Sequence, residues 1–464
     1  MKKVRGAQKR PIIILFGDAL IVLFAYIAAH FLRFGNLAGF QDKIPLMFLL
    51  IITVSYPAVF YFLDLYEPKK KYMTLTSFFE VIFGVLSAGV IVSFLKYLLF
   101  LFPIGRGILA IASLLIAVAA FFWRASCYQM FKFLIRPKRT VIIGAEKPGR
   151  DLAELIDVTV NDFELIGFID EAPRPDDHEL MPQNFLGNTD KLLDILEKHR
   201  IDQIILSGSK EKNLSLTKQL LEARLKGIEI TDLPEMIIFL KGKIPINHVP
   251  EEWFLESHRF GISEKNVFAK IKRLIDILFS VLILVISLPL WPLIALGIKV
   301  NSRGPIFYQQ TRVGKSEAVF SLFKFRSMID KAENDRPVWA GENDTRITVI
   351  GKILRRSHLD ELPQLFNVIK GEMSLIGPRP ERPEFVEELK KRIPYYSFRH
   401  IIKPGLTGWA QVNFPYASSL EESQEKLEYD LYYISQVNMV LDIRIFLRTA
   451  KALLFGRKSQ KKKD

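Results

Sequence analysis

Two adjacent carboxylates, Asp360 and Glu361, stand in the run Leu359-Asp360-Glu361-Leu362-Pro363-Gln364. Flanking leucines and a proline suited to a first turn place them at a helix N-terminus. An acidic pair there has an ordinary use, capping the helix and meeting its dipole. It also has a chemical one: a carboxylate kept ionised by the dipole and nearby arginines can attack phosphorus or ligate Mg2+. Cations for such a site are close in sequence. Gly377-Pro378-Arg379-Pro380 holds an arginine between two prolines, so its backbone is largely set before anything binds. Lys324, Arg326, Arg355 and Arg356 add positive charge, and the arginine fork suits phosphate. Each of these taken alone reads more readily as a solvated surface charge.

The elements that must position these residues begin with Leu274–Ile298, an apolar run of membrane length. Lys270, Lys272 and Arg273 precede it, and Lys299, Arg303, Arg312 and Lys315 follow. Basic flanks on both sides predict that the segment enters and returns on one face. Pro289 and Pro292 supply the break, since each removes a backbone donor and kinks a helix. An ordinary proline-kinked span is the alternative. Near the C-terminus, Leu441–Phe455 sets Ile443, Phe446, Leu447 and Leu454 against Arg444, Arg448 and Lys451. Such a helix suits either an anionic lipid surface or packing against its own domain. The tail 457–463 is a basic run expected to be disordered.

The first part of the chain reads as four apolar spans, Ile12–Phe34, Ile44–Leu65, Leu75–Phe102 and Ile104–Trp123, each long enough to cross ~30 Å of hydrocarbon. Lys and Arg crowd the flanks before the first span, after the second and after the fourth, so both ends of the bundle are expected in the cytoplasm. Asp18, His30 and Asp64 fall within or at the ends of these spans, and positions near an interface or partners on neighbouring helices explain them better than a transport path. After Arg139, short strands alternate with helical runs, the pattern of a parallel α/β sheet. Its opening strand leads into Gly144-Ala145-Glu146-Lys147-Pro148-Gly149. A dinucleotide-binding turn needs glycine where Glu146 stands, because the backbone must approach a pyrophosphate there. Asp170 falls where a ribose-binding carboxylate would be, yet the glutamate argues against bound NAD(P). A regulatory or oligomerising module is the expectation.

Composition narrows the classes. The chain has 464 residues, 64 Lys and Arg against 50 Asp and Glu, and 49% hydrophobic residues. Its mean hydropathy is +0.17. That excludes a disordered or collagen-like chain and implies segregated apolar and charged segments. The single Cys127 excludes an internal disulfide framework and a cysteine-rich metal centre. A net charge of +14 calls for an anionic partner. The basic residues follow membrane flanks and phosphate-type motifs, which argues against nucleic acid.

From Lys272 onward the chain resembles the catalytic domain of the bacterial monotopic polyprenyl-phosphate sugar-1-phosphate transferases (phosphoglycosyl transferases). Six ordered motifs carry the likeness. They are Lys272-Arg273-Leu274-Ile275-Asp276, Gln310-Thr311-Arg312-Val313-Gly314 and Phe323-Lys324-Phe325-Arg326-Ser327-Met328, followed by Leu359 to Gln364, Gly371 to Pro380 and Lys403 to Val412. The four spans and the α/β domain resemble the long members that start exopolysaccharide or O-antigen assembly. The resemblance implies a four-helix transmembrane bundle (11–124), a Rossmann-like α/β domain (138–260) and an α-rich catalytic domain (265–464) with a re-entrant membrane hairpin (274–298).

The resemblance also implies a mechanism. The aspartate matching Asp360 attacks the β-phosphate of a UDP-sugar, UMP leaves, and undecaprenyl phosphate takes the sugar phosphate from the aspartate. Glu361 is implied to assist by handling the acceptor's proton, with Mg2+ (or Mn2+) on Asp360 and the diphosphate. Lys324, Arg326, Arg355, Arg379 and Gln411 match phosphate- or nucleotide-binding positions, and Asp430 matches a position with either a structural or a site role. Pro289 matches the helix-breaking proline, although Leu288 stands where some members have serine, with Ser287 beside it. UDP-sugar, undecaprenyl phosphate, membrane lipids and a second copy in a homodimer are the implied partners. A bacterial inner membrane with the catalytic domain on its cytoplasmic face is the implied location. The competing readings are a membrane-bound nucleotide-sugar dehydratase or epimerase and a non-enzymatic scaffold. The first needs Tyr-x-x-x-Lys after its glycine loop, but Tyr66/Lys70 and Tyr128/Lys132 both precede it.

Overall fold

The computed structural model describes residues 5–36, 40, 46–66, 74–98, 105–134, 136–159, 162–171, 185–207, 214–249, 251–256, 260, 267–329, 344–414 and 419–455. The tail expected to be disordered lies outside these residues. The chain divides into two compact units, Met1–Ile204 with Gly208–Ile230, and Ile205–Ser207 with Thr231–Asp464.

The first unit opens with α1 (Arg5–Phe34), α2 (Leu46–Phe62), α3 (Leu75–Leu98) and α4 (Arg106–Leu134). Val22, Tyr26, Ile52, Tyr56, Val85, Ala88 and Ile116 form their common core, while Phe16, Leu32, Leu50, Phe83, Phe94 and Leu114 face outward. An apolar inside and an apolar outside together mark helices solvated by lipid. Three of the four are long enough to cross a membrane. The second differs from expectation: its described helix has 17 residues, about 25 Å of rise, and the chain turns after Phe62, before the expected end at Leu65. Asp18 is resolved by partners, accepting hydrogen bonds from Arg124 at 2.6 Å and Tyr66 at 2.8 Å in the bundle interior.

The sheet that follows contains β1 (Lys138–Ile143), β2 (Phe163–Ile169), β3 (Phe185–Gly187), β4 (Gln203–Leu206) and β5 (Glu229–Asp232), with helices α5 (Lys147–Thr159), α6 (Leu192–Lys198) and α7 (Leu214–Leu225) between them. Strand order is β3-β2-β1-β4-β5, with β1, β2 and β3 parallel, as a Rossmann-like domain requires.

In the second unit, α8 (Leu233–Lys241) ends on Gly242 in the left-handed region, φ +64°. The chain then supplies Ile244, Ile246, Val249, Phe254 and Phe260 to a core shared with Val386, Leu389, Tyr396, Leu427 and Leu431. Next come α9 (Val267–Ser287) and α10 (Trp291–Asn301), separated by a 3-10 turn at Leu288–Leu290 that contains Pro289. Arg273 bonds the carbonyls of Val368 and Ile369 at 2.6 and 2.7 Å. Val368 packs with Leu322, and Ile298 packs with Phe325 three residues further along that strand. A straight helix would hold positions 273 and 298 about 37 Å apart, so the turn bends the segment and returns both ends to the neighbourhood of the same strand, Val319–Phe325. Ser287 stabilises the break, accepting from Trp291 Nε1 at 3.2 Å. Between those ends Leu278, Leu282, Ile286, Leu288, Leu293 and Leu296 are exposed.

The remainder is α-rich, with an antiparallel hairpin of β6 (Phe307–Val313) and β7 (Val319–Phe325), and a parallel pair of β8 (Ser374–Ile376) and β9 (Gly405–Thr407). Its helices are α11 (Val349–Arg356), α12 (Gln364–Lys370), α13 (Pro383–Arg392), α14 (Trp409–Asn413), α15 (Leu420–Ser435) and α16 (Met439–Phe455). The last packs one face against its own domain. Leu441 and Ile445 are buried, while Val440, Ile443, Phe446 and Leu453 are exposed, and Phe446 meets Phe279 of the bent segment at 5.9 Å.

Candidate active site

Asp360 and Glu361 lie in a 3-10 turn, Leu359–Glu361, just ahead of α12. His358 makes that turn. Its φ of +55° is a left-handed conformation more usual for glycine at a helix C-terminus, and it swings the chain so that α11, carrying Arg355, leads directly into the carboxylates. Asn367 fixes α12 to β7. It is fully buried, its Oδ1 accepts from Phe323 N at 3.2 Å, and its Nδ2 donates to Ser321 O at 2.7 Å. Lys324, the next residue of β7, thereby comes opposite Glu361.

The two carboxylates have different surroundings. Glu361 Oε1 accepts from Arg379 Nη2 at 2.6 Å and lies 3.4 Å from Lys324 Nζ. Burial works against its charge, but Arg379 and Lys324 outweigh burial and hold the carboxyl far below the usual range. Asp360 is buried, 6% exposed, and its carboxylate takes no hydrogen bond or close ion pair from the described residues. Burial pushes its pKa up, against the pull of Lys324, Arg355 and Arg379. Burial likewise lowers Lys324, with Glu361 opposing. The result is one carboxylate tied by two cations and a second one uncommitted in the same positive field.

The arginine of Gly377-Pro378-Arg379-Pro380 is held from behind. Arg399 donates to the Arg379 carbonyl at 2.9 Å, and Arg312 donates to the Pro380 carbonyl at 3.0 Å. Arg399 is itself buried on Asp430 at 2.9 Å, and Lys426 pairs with Glu381 at 2.6 Å. Asp430 is therefore structural, acting on the loop through Arg399. Gly377 and Gly405 allow the backbone just after β8 to touch the start of β9, since a Cβ on Gly405 would lie 2.1 Å from Gly377 N.

The structure thus gathers Asp360, Glu361, Lys324, Arg355 and Arg379. Arg355 is braced by Ser327 Oγ at 2.8 Å. Two residues predicted from sequence stand apart. Arg326 is buried on the carbonyls of Arg303 and Ser302 at 3.0 and 2.8 Å, clamping the end of α10. Gln411 donates to the Leu406 carbonyl at 3.1 Å, bracing the loop beside Gly408. Three positioning residues escaped the sequence reading. Arg273 joins α9 to α12, Asp276 accepts from Ser374 Oγ at 2.8 Å and Leu375 N at 3.1 Å, and Asn367 ties α12 to β7. A carboxylate inside an apolar run and an asparagine inside a short apolar helix were the available signals.

Among the described residues no cluster of three or more His, Cys, Asp or Glu side chains could form a metal cage. An uncommitted Asp360 does fit Mg2+, which favours one or two carboxylates plus substrate phosphates over an all-protein site.

An uncommitted carboxylate within a cluster of cations, beside a bent apolar segment, is an arrangement suited to an anionic, phosphorylated substrate. Residues 267–456 match the bacterial sugar transferase family, and residues 61–225 match a CoA-binding domain family. The chain belongs to the bacterial sugar transferase family. It is 39% identical over 232 residues to a UDP-N-acetylgalactosamine-undecaprenyl-phosphate N-acetylgalactosaminephosphotransferase of Aeromonas hydrophila, covering 50% of this chain and 54% of that protein. It is 37% identical over 283 residues to a UDP-glucose:undecaprenyl-phosphate glucose-1-phosphate transferase of Xanthomonas campestris pv. campestris, covering 59% and 57%. It is 38% identical over 185 residues to a UDP-glucose:undecaprenyl-phosphate glucose-1-phosphate transferase of Caulobacter vibrioides, covering 39% and 69%. The chain thus spans little more than half the length of the first two relatives.

Proposed function

We propose that this protein transfers a sugar-1-phosphate from a UDP-sugar to undecaprenyl phosphate through a covalent Asp360 intermediate. The observation that carries this reading is the buried, uncommitted Asp360 carboxylate within the field of Lys324, Arg355 and Arg379. In the first step Asp360 forms a bond to the β-phosphorus while the bond to the bridging oxygen breaks and UMP leaves with that oxygen. In the second, an oxygen of the lipid phosphate attacks the same phosphorus and the Asp360 carboxylate is released, giving undecaprenyl-diphospho-sugar. A carboxylate nucleophile divides one difficult displacement into two. The three cations offset phosphate charge from fixed positions, so little reorganisation accompanies the reaction. Bound Mg2+, held by Asp360 and the substrate diphosphate, would neutralise further charge.

The bent segment α9–α10 is read as a re-entrant hairpin. Its exposed leucines suit lipid, and its two ends are tied back to the neighbourhood of β7, one through Arg273 on α12 and the other through Ile298 against Phe325, so a lipid-borne phosphate and a soluble nucleotide sugar can meet at the membrane surface. The basic flanks favour the cytoplasmic face of a bacterial inner membrane, and the first step of exopolysaccharide, capsule or O-antigen assembly is the corresponding role. The test is UMP release by detergent-purified protein with Mg2+, undecaprenyl phosphate and a panel of UDP-sugars. Release with one sugar, dependent on the lipid phosphate and reduced at least about 1,000-fold by Asp360→Asn, is expected. Normal turnover by that variant overturns the covalent mechanism.

A further inference from the structure

We infer that Glu361 is a positioning residue, whose carboxylate sets the places of Arg379 and Lys324 for the donor's diphosphate, and that it is not the proton acceptor of the reaction. This rests on the reading of Asp360 as nucleophile. Three chain segments converge on one oxygen: the turn Leu359–Glu361, strand β7 through Lys324, and the loop after β8 through Arg379. The loop's backbone is already held, because Arg399 and Arg312 take the carbonyls of Arg379 and Pro380. What remains to be set is the direction of the guanidinium, and Glu361 sets it at 2.6 Å. Long cationic side chains carry much rotamer entropy, so fixing two of them before substrate arrives removes that cost from the transfer step.

The same geometry makes Glu361 a poor base. Its Oε1, the atom that would take a proton, is already engaged by an arginine and lies beside a lysine. The chemistry does not ask for a base either. A phosphate monoester has its second pKa near ~6, so the acceptor's attacking oxygen is largely ionised at neutral pH.

The deciding experiment separates the half-reactions. Exchange of labelled UMP into UDP-sugar, measured with Mg2+ and without lipid acceptor, reports only the first. A positioning role predicts that Glu361→Ala slows this exchange about 100-fold. Glu361→Gln, which keeps an oxygen for Arg379, stays within about tenfold of the native protein. A proton-acceptor role predicts native exchange in both variants, with loss confined to the acceptor-dependent step and equal for Ala and Gln. That result overturns the inference. Thermal melting of each variant checks folding. If Glu361→Ala melts early, Glu361→Gln still decides, because positioning retains its acceptor-dependent UMP release and a proton role abolishes it. Native protein that releases UMP with acceptor yet shows no exchange without it overturns the covalent Asp360 reading instead. The difference between Gln and Ala in acceptor-dependent release then decides the positioning role separately.

Discussion

Two loops in this protein follow a short strand and carry glycine: Gly144–Gly149 in the α/β sheet and Gly377–Pro380 beside the carboxylate pair. By pattern the first looks more like a phosphate cradle. The structure gives it a different use. Ala145 N donates to Asp170 Oδ2 at 2.8 Å, Glu171 N donates to Asp170 Oδ1 at 2.7 Å, and Gly144 N is spent on Ile169 O. The loop closes on an anion of its own chain. In the second loop the backbone is satisfied as well, with Gly377 N bonded to Thr407 O at 2.9 Å. What it presents is a side chain, Arg379, aimed at an ionised carboxylate beside a second cation. A glycine loop becomes an anion site only when something positive is left over after its own bonds are made.

The largest way to break this contrast is Arg379→Ala, expected to lower UMP release about 100-fold while leaving the melting temperature near native. Arg379→Lys should recover little, because an ammonium lacks the planar array of donors that lets one guanidinium hold Glu361 and a phosphate together. Equal activity of native and Arg379→Ala protein would place the anion site elsewhere.

A second prediction tests how the arginine loop is anchored. Burial alone would raise the Glu381 carboxyl, but Lys426, Arg399 and Arg312 overcome it and hold it at about 2. An unfolded glutamate titrates near ~4.3. The folded state therefore gains stability above that value and loses it as pH falls toward about 2, by about 3 kcal/mol in all. Acid titration followed by tryptophan fluorescence should show Glu381→Gln losing that much less stability across this window. An unchanged acid response in the variant would detach Glu381 from the loop's anchoring.

The smallest effect is expected at the first loop. Asp170→Asn should cost about 1 kcal/mol of local stability and leave UMP release within about twofold of native. Titration with NADH should show no saturable binding. Tight binding, or loss of activity in the variant, would erase the difference between the loops.

Much of the candidate site was legible because its charged groups lie in contiguous motifs. Asp360-Glu361 and the proline-fixed Arg379 carry their local geometry in their neighbours, and the structure brings them together with Lys324 and Arg355. Arg326 sits two residues from Lys324, and alternation along a strand would put both on one face. The strand ends at Phe325, and beyond it the side chain turns to the carbonyls of Ser302 and Arg303. Gln411 was identified by motif position, and its brace on Leu406 depends on a backbone path that spacing does not encode. The bend at Pro289 was readable from prolines and flanking charge. The anchors at Arg273 and Asp276 were not, because they are contacts between segments about a hundred residues apart.

The segment 242–260 has a consequence for anyone shortening this protein. Trp409 Nε1 donates to the Gly242 carbonyl at 2.7 Å, Lys243 pairs with Glu425 and Glu428 at 2.9 and 2.8 Å, and Ile246 N donates to the Glu428 side chain at 3.3 Å. The family match begins at residue 267, but the physical boundary falls upstream of it. Trimming to the match would strip Ile244, Ile246, Val249, Phe254 and Phe260 from their core. At roughly 2 kcal/mol for each buried side chain, that forfeits about 10 kcal/mol, as much as a typical domain has in total. A fragment cut by sequence similarity would aggregate, and one beginning near Thr231 would keep its fold.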